Sequence, residues 1–127
     1  MTQAGLKLIA DAMETLGLNY DFGEHSGEEF NYPYFVGEYE EIEPLNEDGM
    51  QESAFIITGY SRDLWQTLED AKAKIRKHFP HVGGRTAIAE DGTAVAVFYS
   101  NSMVIPTVDA ELKKIQINLD IKEWSVN

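Results

Sequence analysis

Apolar residues recur every three or four positions in two stretches of the chain, and this period predicts two amphipathic helices. The first covers residues 2–17, with Thr2 as its N-cap and Gly17 as its C-terminal stop. The second covers residues 61–78, with Ser61 as its N-cap. The apolar positions are Leu6, Ile9, Ala10, Met13 and Leu16 in the first helix, and Leu64, Leu68, Ala71 and Ile75 in the second.

Runs of aromatic and β-branched residues separated by turn residues predict two hairpins. The first hairpin covers residues 34–60 and turns at Asp48-Gly49. The second covers residues 85–100 and turns at Asp91-Gly92. Residues 101–109 are predicted to be a connection to the last element.

Near the end of the chain, apolar and polar residues alternate strictly, which predicts a strand with one buried and one wet face. The buried positions are Ile115, Ile117, Leu119 and Ile121. With Leu112 and Trp124 the strand spans about 13 residues, longer than the usual 5–6. A long strand at a chain end can extend past its own domain. Residues 110–124 are therefore a segment that can pair with a neighbouring subunit.

The predicted order is helix, hairpin, helix, hairpin and long C-terminal strand. Hairpins imply antiparallel pairing, so we predict an α+β fold with two helices packed on a mainly antiparallel sheet. The 127 residues are one domain's worth. Residues 19–33 contain glycines and acids without any period, so we expect an acidic, mobile loop there.

The net charge is −12, and one segment carries nearly all of it. Residues 19–53 hold eleven acids and no lysine or arginine, while the rest of the chain is almost neutral. Basic residues cluster at Lys72, Lys74, Arg76 and Lys77. Three interpretations of the acidic segment are open. It is a solvated surface, or a face that meets the basic cluster of a neighbour in a head-to-tail ring, or the wall of a ring channel that repels DNA. This charge balance disfavours binding to nucleic acid or to an anionic membrane.

Residues that carry chemistry are sparse. The chain contains no cysteine, which excludes disulfides, thiolate zinc sites and a cysteine nucleophile. His78 and His81 have a spacing used by metal ligands, but Pro80 separates them. The serines lack the context of a nucleophile elbow, and no stretch approaches the ~20 apolar residues of a membrane span. We expect no enzymatic activity, no cofactor, no metal and no membrane partner.

The acids of the first predicted strand do not form one cluster. On a strand Glu38 and Glu40 point to one face, and Glu41 and Glu43 point to the other. Such a division disfavours a cation site. Aromatic residues beside exposed acids suit a protein interface, although packing in the core is the default for them. The residues that we expect at interfaces are Glu38, Glu40, Glu41, Glu43, Tyr39, Lys72, Lys74, Arg76, Lys77 and Trp124.

Three stretches together resemble a known family. They are the strand Pro33-Tyr34-Phe35-Val36, the helix from Trp65-x-x-Leu68 to Phe79, and the closing stretch 105–124, which begins Ile105-Pro106-Thr107. In a small cysteine-free chain with an N-terminal helix, they resemble the tail-terminator, or tail-completion, proteins of long-tailed bacteriophages and Gram-positive prophages. The resemblance covers most of the chain but rests on patterns of residue type.

The resemblance implies a ring, usually hexameric, that caps the tail tube and joins it to the head connector. Its partners would be copies of itself and other phage tail or connector proteins, first in the cytoplasm of the bacterial host and then in the virion. No catalytic residues carry over. The acidic hairpin 34–60 would face a neighbour, another protein or the DNA channel, and the loop before it would order on assembly. A head–tail connector or minor capsid protein remains an alternative. So does an acidic module that mimics DNA or inhibits a basic protein.

Overall fold

The computed structural model describes residues 1–27, 31–43 and 49–125. This part of the chain forms two helices and a six-stranded mixed sheet, which confirms the predicted α+β class. The helices are α1 (Gln3–Thr15) and α2 (Trp65–His78). The strands are β1 (Asn19–Phe22), β2 (Tyr34–Glu43), β3 (Met50–Ser61), β4 (Arg85–Ile88), β5 (Ala94–Ile105) and β6 (Lys113–Trp124).

The strands lie in the order β1-β2-β3-β6-β5-β4. β1 and β2 are parallel, and every other neighbouring pair is antiparallel. The C-terminal strand therefore lies in the middle of the sheet. β3 pairs with all of β6, and β5 pairs with it from Lys114 to Trp124. The interpretation that residues 110–124 can pair with a neighbouring subunit is wrong, because both edges of this strand are occupied within the chain.

Helix α1 follows the sequence prediction except at Ala10, which is exposed, whereas Ala12 is buried. The Thr2 hydroxyl accepts a hydrogen bond from the Gly5 amide, which is the predicted N-cap. At the other end Gly17 has a φ of +73°, and the Leu18 amide donates to the Met13 carbonyl at 2.9 Å. This is the glycine-dependent C-cap in which the last turn closes on a left-handed residue. The buried carboxylate of Glu123 on β6 accepts hydrogen bonds from the Thr2 amide and hydroxyl.

Helix α2 begins four residues later than predicted. Ser61 is the last residue of β3, and its hydroxyl accepts from the Asp63 amide in a turn before the helix. Leu64 occupies the N-cap position without a side-chain cap and is 69% exposed, so it does not belong to the buried face as expected. The predicted face is otherwise correct, since Leu68, Ala71 and Ile75 are buried.

Two segments predicted to lack regular structure are strands. Residues 19–22, inside the predicted loop 19–33, form β1 beside β2. Tyr20 anchors this strand, because its ring packs against the core. The same burial raises the pKa of its phenol above the usual value. Residues 101–105 continue β5 past a bulge rather than forming a connection. The predicted turn at Asp48-Gly49 lies largely outside the described residues.

The core lies between the helices and one face of the sheet. Tight packing there depends on two glycines of neighbouring strands, because the Phe55 ring lies over Gly37 and the Phe35 ring lies over Gly59. A Cβ atom at either glycine would come within 2.8 Å of a ring carbon. The largest fully buried side chains are Phe35, Phe55, Phe79, Ile9, Met13, Ile57, Leu68, Ile75, Ile115, Ile117, Leu119 and Ile121.

Candidate assembly surface

The sheet face opposite the helices, called the open face below, has no helix over it in the described part of the chain. Side chains alternate between the two faces, so the polar positions of β6 lie here while its isoleucines point to the core. A chain of amides crosses the middle of this face. Gln116 donates to Asn118 at 3.0 Å, and Asn118 donates to Asn101 on β5 at 2.6 Å. Side-chain hydrogen bonds therefore link the polar positions of β6 to β5 on the open face.

An aromatic cluster lies at the β1 side of the open face. The Tyr34 and Tyr60 rings stack with centroids 4.8 Å apart, and His25 meets Tyr34 edge-on at 4.8 Å. Burial is the main reason why the pKa of the Tyr34 phenol is raised. Together with Glu24 and Glu38 these rings border a shallow pocket of about 300 Å³. The Lys114 ammonium lies 5.5 Å from the Tyr60 ring.

The acids of β2 are divided between the faces as the alternation predicts. Glu38 and Glu40 are exposed on the open face, in register with Ile56 and Ala54. Glu41 lies on the helix face, where its Oε1 is 2.7 Å from the N-terminal ammonium of Met1. The hydrogen bond from this ammonium is the main reason why the pKa of Glu41 is lowered.

The two remaining predicted interface residues of β2 are Tyr39 and Glu43. Tyr39 is 37% exposed on the helix face, and its ring stacks on Phe22 with centroids 6.0 Å apart. The Glu43 backbone pairs with Glu52 past an irregularity in the strand, and its side chain lies outside the described part. An exposed aromatic pair therefore accompanies the acids along this strand.

The basic cluster lies on α2, and its members differ in their contacts. Lys72 pairs with Glu69 at 2.5 Å within the helix. Lys74 and Lys77 are exposed. The Arg76 guanidinium lies 5.3 Å from the Tyr99 ring on β5. The basic end of α2 is therefore next to β5.

Among the described residues of one chain, the acids of β2 and the basic cluster of α2 are not brought together. Arg76 is beside β5, whereas the acids are on β2, and β3 and β6 lie between these two strands. Three strand spacings separate β2 from β5, or roughly 14 Å. Trp124, the last predicted interface residue, is half-buried on the open face between Met50 and Ala94. Whether these residues contact a partner stays a prediction.

The feature that sequence reasoning missed is that each outer strand covers only four residues of the longer strand beside it. β1 pairs with residues 34–37 of β2, so residues 38–43 have no strand along their outer edge in the described ranges. β4 pairs with residues 94–97 of β5. Further along β5, the Tyr99 amide donates to the Phe79 carbonyl, and His81 Nδ1 donates to the Tyr99 carbonyl. Past that point residues 100–105 have no outer strand among the described residues.

The uncovered segments, residues 38–43 of β2 and residues 100–105 of β5, are called the half-edges below. Exposed apolar side chains lie along both of them. Phe22, Tyr39 and Ile42 accompany the β2 half-edge, and they are 48%, 37% and 50% exposed. Met103 and Val104 lie on the β5 half-edge, each 54% exposed. The Ser-Asn-Ser-Met-Val-Ile run before Pro106 ends in β-branched residues, a strand signal that could have located the second half-edge.

Other surface features of the described residues give weaker indications of a functional site. A groove of about 640 Å³ lies between α1 and the β4–β5 hairpin, with a largely aliphatic floor and charged residues at its rim. No group of three or more histidines, aspartates or glutamates in the described ranges is arranged to hold a metal ion. None of the described helices has the length and apolar character needed to cross a membrane.

No known protein-family model matches the chain, and neither does any curated protein.

Proposed function

We propose that the protein is a structural subunit of a phage or prophage virion, namely a tail terminator or completion protein that acts as a ring of identical copies. The observation that carries the proposal is the pair of half-covered sheet edges, one acidic and one flanked by cations, on opposite sides of the molecule. Surfaces of unlike character on opposite sides favour head-to-tail contacts, which generate a ring when the rotation from copy to copy closes. A head–tail connector or minor capsid protein would use the same surfaces, and the neighbouring genes would separate these roles.

The charge distribution supports a contact between copies. Eleven acids lie within residues 19–53, and the net charge of −12 would make random association of copies unfavourable. Oriented contact between the acidic strand β2 and the basic end of α2 would offset this repulsion locally. Exposed Tyr39 and Val104 supply apolar area of the kind that interface cores contain.

We expect sedimentation velocity to show an oligomer whose population grows with protein concentration and falls as salt is raised from about 50 mM to 500 mM. Salt acts because the Debye length shrinks from ~14 Å to ~4 Å over this range and screens the exposed charges. A protein that stays monomeric at every concentration and salt would overturn the proposed ring.

An acidic module that binds a basic protein is a second candidate, favoured by Glu38 and Glu40 standing exposed together on the open face. We expect the variant Glu38→Gln/Glu40→Gln to reduce binding to a polylysine column if this surface acts by charge. The control is Glu14→Gln/Glu69→Gln, which removes the same charge from the helices. Equal loss in both variants would show an effect of net charge only, and would count against a dedicated acidic site.

A further inference from the structure

We propose that residues 38–43 of β2 in one copy pair as an antiparallel strand with residues 100–105 of β5 in the next copy, so that the sheet continues from subunit to subunit. This inference rests on the proposed function and specifies its contact. The occupant of each half-edge is thus a second copy of this chain. Main-chain hydrogen bonds would supply affinity, as they do wherever a strand is added to a sheet edge.

The two half-edges match in length and in direction. Each is six residues long, bounded by β1 in one case and by β4 with the Phe79 and His81 contacts in the other. Three successive antiparallel pairings make β2 antiparallel to β5 within a copy. A second copy placed alongside in the same orientation therefore presents its β2 antiparallel to β5. Its β1, which ends at Phe22 opposite Gly37, would then lie just beyond the end of β5 at Ile105.

The alternation of side chains is satisfied when the half-edges overlap fully. In this register Met103 faces Glu40, and both lie on the open face because Met103 pairs with Gln116 and Glu40 with Ala54. On the helix face Val104 faces Tyr39, so two exposed apolar side chains cover each other. A shift by one residue would place every side chain on the wrong face.

Charge favours the pairing of β2 with β5 over two symmetric alternatives, in which two β2 half-edges or two β5 half-edges pair with each other. Two β2 half-edges would bring the glutamates of both copies together, which is unfavourable. Two β5 half-edges would bring together the cations beside them, namely Arg76 at Tyr99 and Lys114 opposite Ile105. A pairing of β2 with β5 instead places Glu41 towards Arg76 and Glu38 towards Lys114. It also covers the apolar side chains of both half-edges.

The absence of native cysteine makes the contact testable by disulfide trapping. One batch of the full chain carries Glu40→Cys and a second carries Met103→Cys, and the two are mixed and mildly oxidised. We expect a mixed covalent dimer as the main product. The double variant should form a ladder on a non-reducing gel that ends at the ring size. A bond within one copy cannot form, since strands ~14 Å apart exceed the 4.4–6.8 Å that a disulfide spans between Cα atoms.

The matched control uses Val104→Cys in place of Met103→Cys, because the side chain at position 104 lies on the other face of the sheet. Little mixed dimer is expected when this variant is oxidised together with Glu40→Cys. Glu38→Cys mixed with Met103→Cys tests a register shifted by two residues. The pairing would be refuted if Glu40→Cys formed as much dimer with Val104→Cys as with Met103→Cys. It would also be refuted if Met103→Cys linked mainly to other copies of Met103→Cys. Self-association without any of these links would refute the pairing and leave the ring standing, whereas a strictly monomeric protein would refute the ring itself.

Discussion

Replacing Met103 by glutamate is expected to abolish self-association, whereas replacing it by lysine is expected to preserve it. Met103 is 54% exposed on the open face of β5, where the proposed contact places it opposite Glu40 of the next copy. A glutamate there would stand against the acidic half-edge, and such like-charge contacts cost several kcal/mol. That is more than about a hundredfold in the association constant. Sedimentation velocity at low salt measures the effect.

Two controls separate this contact from a general effect of charge. Leu64→Glu adds the same charge at an exposed apolar residue that belongs to neither half-edge, and association is expected to change little. Adding Glu40→Lys to the Met103→Glu variant restores opposite charges and should recover assembly. If Met103→Glu associates as well as the unchanged protein while its circular dichroism is native, the β5 half-edge is not the contact.

The elements that sequence predicted well are those whose pattern is local. The period of α1, its Thr2 cap and its Gly17 stop are contained in one stretch of chain, as is the alternation of β6. The division of Glu38 and Glu40 from Glu41 follows from the same alternation. Each of these depends only on backbone geometry and nearby residues.

The elements that sequence predicted badly depend on which strands become neighbours. Nothing in the alternation of β6 indicates that both its edges are paired by β3 and β5, and its place near the end of the chain suggests a strand that can pair with a neighbour. β1 is too short to show a period and exists because β2 offers an edge beside it. Ser61 has the chemistry of an N-cap, but β3 extends through it and delays α2.

The candidate site was missed for the same reason. Sequence drew attention to the acids of β2 and the cations of α2, and the structure keeps them on separate sides of one molecule. The uncovered part of β5 becomes visible only once β4 is seen to begin at Arg85, opposite Val97. A half-covered edge is a property of strand order and length together, which no single segment of sequence encodes.

Phe55→Ala is expected to destabilise the monomer by about 3–5 kcal/mol, a large part of the 5–15 kcal/mol typical of a domain. Phe55 is fully buried on β3, its ring lies over Gly37, and it stacks with Phe22 at 6.4 Å. The glycine has no side chain that could refill the space, so a cavity would remain between β2 and the helices. Thermal unfolding followed by circular dichroism should show a Tm lower by roughly 10–20 °C.

The matched control is Ile56→Ala, one residue further along β3 and on the open face, where Ile56 is half-buried. Its cost should be about 1 kcal/mol, because less apolar area is removed from water when the side chain is already partly exposed. Both variants are compared at protein concentrations low enough for the monomer to dominate. Equal destabilisation would mean that Ile56 is as well covered as Phe55, which would contradict a sheet face that no helix covers in the described part of the chain.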